Sequence, residues 1–403
     1  MALFRNELHE EFGSWPLAYI AAGGAEYGEI RAVGAAVGGG NDDDFVAAWR
    51  ALGDRLAEEA AGAAERGASS ARDLYLRAAV AHGTSYRPIF GAPVDPRLTA
   101  AFTAQIAAFD AGLALGPRPV APLRIPFDGH AMPAYFLPAE GEAGGRPGPL
   151  LILTNGYDAT VTDMYFASAV AATRRGYHCL IFDGPGQGGM LYEQGVPIRA
   201  DWETVVGAVV DFALALPLVD PSRIALSGWS LGGHLALRAA SAEHRLAAVI
   251  ADPGMWSITG GMREAAARII PENMIDRALR GEVRMVDRLA RTIIDQSPRL
   301  RWTFVQRGFW VHGVDDIGGY LRSASDFTLD GRVAGIRCPT LLTTAEGDDR
   351  AVTSGEVFEA LTCPKTLLSF TAAEGAGDHC EMMNRSLANG RVLDWLDGVL
   401  GEV

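Results

Sequence analysis

The stretch "SGWSLGGH", residues 227–234, sets Ser230 between small residues. It follows an apolar run, Arg223-Ile224-Ala225-Leu226, and precedes an alanine-rich helical pattern. Gly228-Trp229-Ser230-Leu231-Gly232 is G-x-S-x-G, which between a strand and a helix holds a serine hydroxyl on a sharp, strained turn. A Cβ at either flanking glycine would collide with the neighbouring strand or helix. The competing reading is a tight turn that only happens to contain serine. The choice rests on partners elsewhere in the chain, because a hydroxyl without an adjacent base is a poor nucleophile.

In a strand-turn-helix setting the order is serine, then acid, then histidine. Of the histidines after Ser230, His234 lies one turn along the helix that Ser230 opens and is expected to pack or cap. His244 sits near a helix end and is expected to be solvated. His312, in "FWVHGVDD", could line a pocket. His379, in "EGAGDHC", follows the last apolar strand-like run on a glycine-rich loop, where the base belongs. The acid should follow the preceding strand, "TLLTTAEGDD". Counting from Leu341 points to Asp348, with Asp349 exchanged for it by a one-residue shift of the turn. Such an aspartate orients the imidazole and stabilises its charged form. The developing oxyanion needs donors. These are expected to be the backbone N–H of Leu231 and an N–H from the loop after "LLILTNG", at Gly156 or, preferably, Tyr157.

These residues need a scaffold. Residues 1–119 read as a helical domain. Phe45, Trp49, Leu52 and Leu56 share one helical face, and Leu98, Phe102, Ile106, Phe109 and Leu113 form another stripe. Asp95 with Pro96 opens the latter helix. Ser70 and Asp73 have capping-box spacing. "GGAEYGEI" and "VGGGNDDD" read as glycine-rich loops. The next runs, either side of Asp128-Gly129, predict a hairpin. From Leu150 strand-like and helix-like stretches alternate, which implies a mostly parallel sheet covered by helices on both faces. The alternation stops at about 255–332, a helical insert rich in aromatics that should sit over the carboxyl ends of the strands. The sheet texture then resumes, so residues 120–403 read as one α/β domain carrying this cap.

Composition narrows the partners. A net charge of −14 argues against nucleic acid, whose phosphates want a basic face. The first residues, "MALFRNELHEEFG", carry acids and lack a long apolar core, unlike a signal peptide. The most apolar later stretch is interrupted by Asp211 and Pro217, too short and broken for a bilayer. Cys179, Cys338, Cys363 and Cys380 have neither C-x-x-C nor metal-ligand spacing, which suits reduced thiols in a cytoplasm. With no nucleotide loop or metal cluster, no cofactor is expected. A homodimer through the N-terminal helices is one further expectation.

With these residues placed, residues 120–403 resemble the α/β-hydrolase superfamily, and "FDGPGQG" (182–188) is a further motif of it. More narrowly, "NGYD", "DGPGQG", "GWSLGG", "ADPG", "CPTLL" and "AEGAGDHC", with the helical "SSARDLYLRAAVAHGTSYRP", are similar to a subgroup with a helical N-terminal domain. That subgroup includes the bacterial 2,6-dihydroxypseudooxynicotine hydrolases and fungal polyketide-shortening hydrolases. The resemblance implies a serine hydrolase that breaks a carbon–carbon bond next to a ketone, and the aromatics of the 255–332 insert suggest an apolar or aromatic small-molecule substrate. Ester or thioester hydrolysis by the same residues, and a non-catalytic binding protein on the same scaffold, are the alternatives. It further implies that a second carboxyl could assist, with Asp158, Asp252 and Glu264 as candidates by position.

Overall fold

A computed structural model describes residues 2–260, 272–279 and 291–401; Glu264 lies outside the described residues. Its centre is a sheet of β1 (Leu123–Phe127), β2 (His130–Leu137), β3 (Gly148–Thr154), β4 (His178–Phe182), β5 (Val219–Trp229), β6 (Ala248–Asp252), β7 (Thr340–Ala345) and β8 (Lys365–Phe370). The spatial order is β1-β2-β4-β3-β5-β6-β7-β8. β1 and β2 pair antiparallel, as do β2 and β4; every later pairing is parallel. β3, β4 and β6 are buried at every position, the continuous burial of strands covered on both faces. The hairpin forms where Asp128-Gly129 places it. Both residues have positive φ (49° and 79°), as a two-residue turn matched to strand twist requires.

Among the described residues five α-helices precede the sheet: α1 (Glu7–Ser14), α2 (Tyr27–Val37), α3 (Asp42–Glu65), α4 (Ser70–Ser85) and α5 (Pro96–Ala114). The α3 face of Phe45, Trp49, Leu52 and Leu56 is buried. Asp95 caps α5 by accepting the Arg97 N–H at 2.8 Å. Three local expectations are corrected. Tyr27 already lies in α2, and the three aspartates of "VGGGNDDD" form the first turn of α3, capped by Asn41. Acidic residues suit a helix N-terminus, so the loops shrink to residues 23–26 and 38–41. Ser69 takes the cap position of α4, and the Ser70–Asp73 capping box does not form. Ile106 is only partly buried within its stripe.

The helices do not enclose a core of their own. Their buried side chains form one apolar cluster with those of the sheet. Buried polar bonds reinforce the junction. Tyr86 Oη donates to Gln105 Oε1 at 2.7 Å, and Gln105 Nε2 donates to Thr160 and Thr162 beyond β3. Among the described residues, the segment between β6 and β7 includes helical stretches at Glu272–Leu279, Pro298–His312 and Ile317–Ser325. The middle one widens to i→i+5 bonding over Arg301–Gly308. It docks on the turn after α4: Trp302 Nε1 donates to the Arg87 carbonyl at 2.8 Å and Gln306 Nε2 to that of Pro88 at 3.1 Å. Among the described residues no helix is long and apolar enough to cross a membrane.

Because the core is shared, Tyr86→Phe, which strands the buried Gln105 acceptor, should cost about 1–3 kcal/mol. Urea unfolding followed by circular dichroism and by tryptophan fluorescence should report that loss in one coincident transition.

Candidate active site

Ser230 lies at the turn from β5 into the helix Leu231–Ala240 with φ 59° and ψ −125°, a conformation a non-glycine residue seldom adopts. Its neighbours make the turn possible. A Cβ on Gly228 would strike the Gly232 carbonyl, and one on Gly232 would lie 2.6 Å from that of Thr154. The turn is pinned by the Ser230 N–H, which donates to the Asp252 carbonyl at 2.7 Å.

Three of the residues singled out from the sequence meet here. His379 Nε2 is 2.8 Å from Ser230 Oγ, and His379 Nδ1 is 2.8 Å from Asp348 Oδ2. Asp348 follows β7 and His379 follows β8, so parallel strands deliver all three groups to one edge. The Asp348 side chain is 1% exposed. Burial opposes its ionisation, yet its bond to His379 and the His379 charge hold its carboxyl below the usual range. An ionised Asp348 fixes the proton on Nδ1 and leaves the Nε2 lone pair facing the hydroxyl. Asp349 is exposed.

The loop after β3 runs against this turn. A Cβ on Gly156 would lie 2.9 Å from that of Ser230. Among the described residues neither the Tyr157 N–H nor the Leu231 N–H meets an acceptor. Two such idle donors beside a serine suit an oxyanion. "DGPGQG" holds this loop in place. Gln187 Nε2 donates to the carbonyls of Asn155 and Gly156 at 2.7 and 3.1 Å. Asp183 accepts from Asn155 Nδ2 at 3.0 Å and from the Val161 N–H at 2.9 Å. Burial pushes the Asp183 carboxyl up to about 7 against these donors.

Behind the serine, Asp252 accepts from Arg385 Nη1 at 2.8 Å and from Thr343 Oγ1 at 2.9 Å. Arg385 also donates to the Cys380 carbonyl at 2.8 Å. Cys380 and Glu381, directly after His379, are both held at positive φ (55° and 49°). Glu381 is buried beside Asp252, and burial, then the Asp252 charge, pushes its carboxyl up to about 10, so it is neutral at neutral pH. Asp252 is thus held within this cluster and is not among the residues that line the cavity described below.

The group opens on a cavity of about 540 Å³. Phe12 of α1, Trp15 directly after it, Trp229, Tyr157 and Trp302 supply its aromatic walls. Asp158 lines it too, bound by Arg87 Nη1 at 3.1 Å and Arg307 Nη1 at 3.3 Å. Burial opposes its charge, but the Arg307, Arg87 and Arg350 charges hold its carboxyl below the usual range. His312 is not among the lining residues. It is buried, with Nε2 2.7 Å from Tyr157 Oη and Nδ1 2.7 Å from Ser323 Oγ. Burial and the Arg307 charge push it down to about 4. His234 is buried against the Met255 carbonyl and His244 is exposed.

The sequence reading missed α1, Glu381, Arg385 and Arg307. The signal for α1 was present: Asn6 accepts from the N–H groups of Leu8 and His9, an N-cap directly before acidic residues. Nothing local marks the other three, whose partners are distant in the chain.

A profile of the alpha/beta hydrolase family matches residues 150–389, and the chain belongs to that family. It is 33% identical over 395 residues to the 20-hydroxy-prefusarin hydrolase FUS2 of Gibberella moniliformis, covering 93% of this chain and 92% of that one. It is 31% identical over 402 residues to the hydrolase LUC6 of a Fusarium species, covering 94% and 93%. Among solved structures, the 2,6-dihydroxy-pseudo-oxynicotine hydrolase superposes with a TM-score of 0.74 at 22% identity, covering 96% of this chain and 97% of that one. The similarity extends over the N-terminal helices as well as the sheet. The protein is an enzyme of the hydrolase class.

Glu381 gives the site a signature in stability. Its folded pKa lies above its unfolded value, near 4.3. The stabilisation is complete below about pH 4 and is lost as pH rises through about 10. Glu381→Gln removes that proton, so between about pH 5 and pH 9 its melting temperature should fall less than that of wild type. Equal slopes in thermal scans would mean Glu381 is ionised in the fold.

Proposed function

We propose that this hydrolase uses Ser230 as nucleophile, His379 as base and then acid, and Asp348 to orient the imidazole. Its substrate is a polyketide-like or aromatic β-dicarbonyl compound, cleaved at the carbon–carbon bond beside a ketone. The observation that carries the reading is the hydrogen-bond chain Asp348–His379–Ser230, at 2.8 Å for each link, opening on an aromatic-walled cavity. The names of FUS2 and of the pseudo-oxynicotine hydrolase support the substrate class.

Ser230 Oγ attacks the ketone carbon as His379 Nε2 takes its proton. The Tyr157 and Leu231 N–H groups receive the oxyanion. Collapse breaks the carbon–carbon bond, and the pair of electrons leaves on carbon, delocalised as an enolate. The His379 imidazolium returns a proton to it. Water, deprotonated by His379, then releases the acyl group from Ser230.

Intact-mass analysis after fluorophosphonate treatment should show one adduct on wild type and none on Ser230→Ala. Turnover of an aryl β-diketone should drop on the order of ten-thousand-fold or more in Ser230→Ala and His379→Ala. A folded wild type that takes no adduct would overturn the reading, and cleavage of aryl esters alone would replace the carbon–carbon assignment with an esterase.

A further inference from the structure

We propose that Arg307 stabilises the departing enolate, and so makes the carbon leaving group tolerable; the inference rests on the carbon–carbon cleavage reading above. An ester alkoxide is a modest leaving group that a proton from His379 suffices to assist. A carbanion leaves only if its charge moves onto the second carbonyl oxygen, some distance from the Tyr157 and Leu231 N–H groups. A second positive group in the cavity is therefore the chemical requirement that separates the two reactions.

Four arginines line the cavity; two are otherwise committed and a third is exposed. Arg87 spends its amino groups on Asp158 and on Asp163. Arg299 reaches Glu7 and Glu11 of α1 at 3.4 and 3.5 Å and is half exposed. Arg350 is exposed, where water screens its charge. Arg307 differs. Its guanidinium lies between the rings of Tyr157 and Trp302, 4.9 and 5.0 Å from their centroids, with a side chain only 13% exposed. Nη1 donates to Asp158, and among the described residues its guanidinium makes no other hydrogen bond. The enclosing rings and Asp158 fix the plane of the fork and leave an unspent edge to the cavity. Tyr157 Oη cannot serve instead, being turned to His312 and Tyr320. Arg307, on the helical segment Arg301–Gly308, stacks on the residue whose N–H is offered to the first oxyanion, so the two charge-stabilising groups stand side by side.

In the proposed step the bond between the acyl carbon and its neighbour breaks. Its electron pair forms a carbon–carbon double bond as the second carbonyl becomes C–O⁻. That oxygen accepts N–H from Arg307, and the His379 imidazolium then supplies the proton to carbon, leaving a neutral ketone. No other reactant is needed.

The test has two readouts. In turnover, Arg307→Gln should lose about a hundred-fold or more in kcat on an aryl β-diketone, and at least ten times less on an aryl ester. Arg307→Lys, which keeps the charge, should recover part of the diketone rate. In the inactive Ser230→Ala protein, bound benzoylacetone should show the red-shifted absorption of its enolate at a pH where the free compound does not, and adding Arg307→Gln should abolish that band. Equal losses on diketone and ester would make Arg307 merely structural and overturn the proposal. Wild-type diketone turnover with no enolate band would also overturn it while leaving the cleavage reading intact. An Arg307-dependent band with no turnover would keep the enolate site and overturn the cleavage reading.

Discussion

The buried ion pair between Asp252 and Arg385 is the interaction on which the geometry around Ser230 depends. Asp252 ends β6, and three neighbours converge on it. Its carbonyl takes the Ser230 N–H, its carboxylate takes Thr343 from β7, and Arg385 reaches from the C-terminal helix Arg385–Leu400. The same guanidinium holds the Cys380 carbonyl, one residue past His379. One salt bridge thus ties together the turn, the strand leading to Asp348 and the loop that carries His379. A pair so buried contributes little net stability against an apolar replacement, but removing one partner alone costs about 3–5 kcal/mol. It is retained here for position. Glu381 extends the arrangement: kept neutral by burial, it adds a carboxyl to the cluster without a second negative charge.

Strain is distributed in the same way. Ser230, Cys380 and Glu381 all have positive φ without being glycine, at a cost of order 1–3 kcal/mol each. Such conformations persist only where surrounding bonds over-determine them, and the Asp252 cluster does so on both sides of the serine–histidine contact. The third side, the loop Asn155–Asp158, is fixed by Gln187 and by Arg87 rather than by strain. The scaffold supplies rigidity to the reacting atoms from within the sheet, and to the cavity from outside it.

How far the sequence discloses this depends on the range of each interaction. G-x-S-x-G works partly through local sterics: Gly228 is needed because the Gly232 carbonyl lies four residues on, whereas Gly232 is needed because the end of β3 passes against it, and the fixed spacing makes the motif readable in one line all the same. The hairpin at Asp128-Gly129 and the Asp95 cap are local in the same sense. Asp348 and His379 are legible through the rule that parallel strands present loops at one edge, although Asp348 and Asp349 are separated only by which side chain the turn buries. Arg307, Arg385 and Glu381 are legible by no such rule. Each matters through residues 100 or more positions away or through burial, and an exposed arginine and a buried one look alike in a sequence.

The division also falls between chemistry and selectivity. The Asp348–His379–Ser230 chain sits at strand ends, where the backbone of the sheet leaves little freedom. Much of the outer cavity wall comes from α1 and from the segment between β6 and β7, joined through Trp302 to Phe12 (ring centroids 4.8 Å apart) and through Trp302 to the Arg87 carbonyl. These two covers meet over the cavity and touch the sheet mostly through side chains. Substitutions there can reshape the walls without disturbing the Asp252 cluster. A change of substrate is therefore available to this fold at low structural cost, whereas a change of the reacting groups is not. Arg307 stands at the boundary: it belongs to a cover by sequence, and it touches the loop after β3 through Asp158 and the Tyr157 ring.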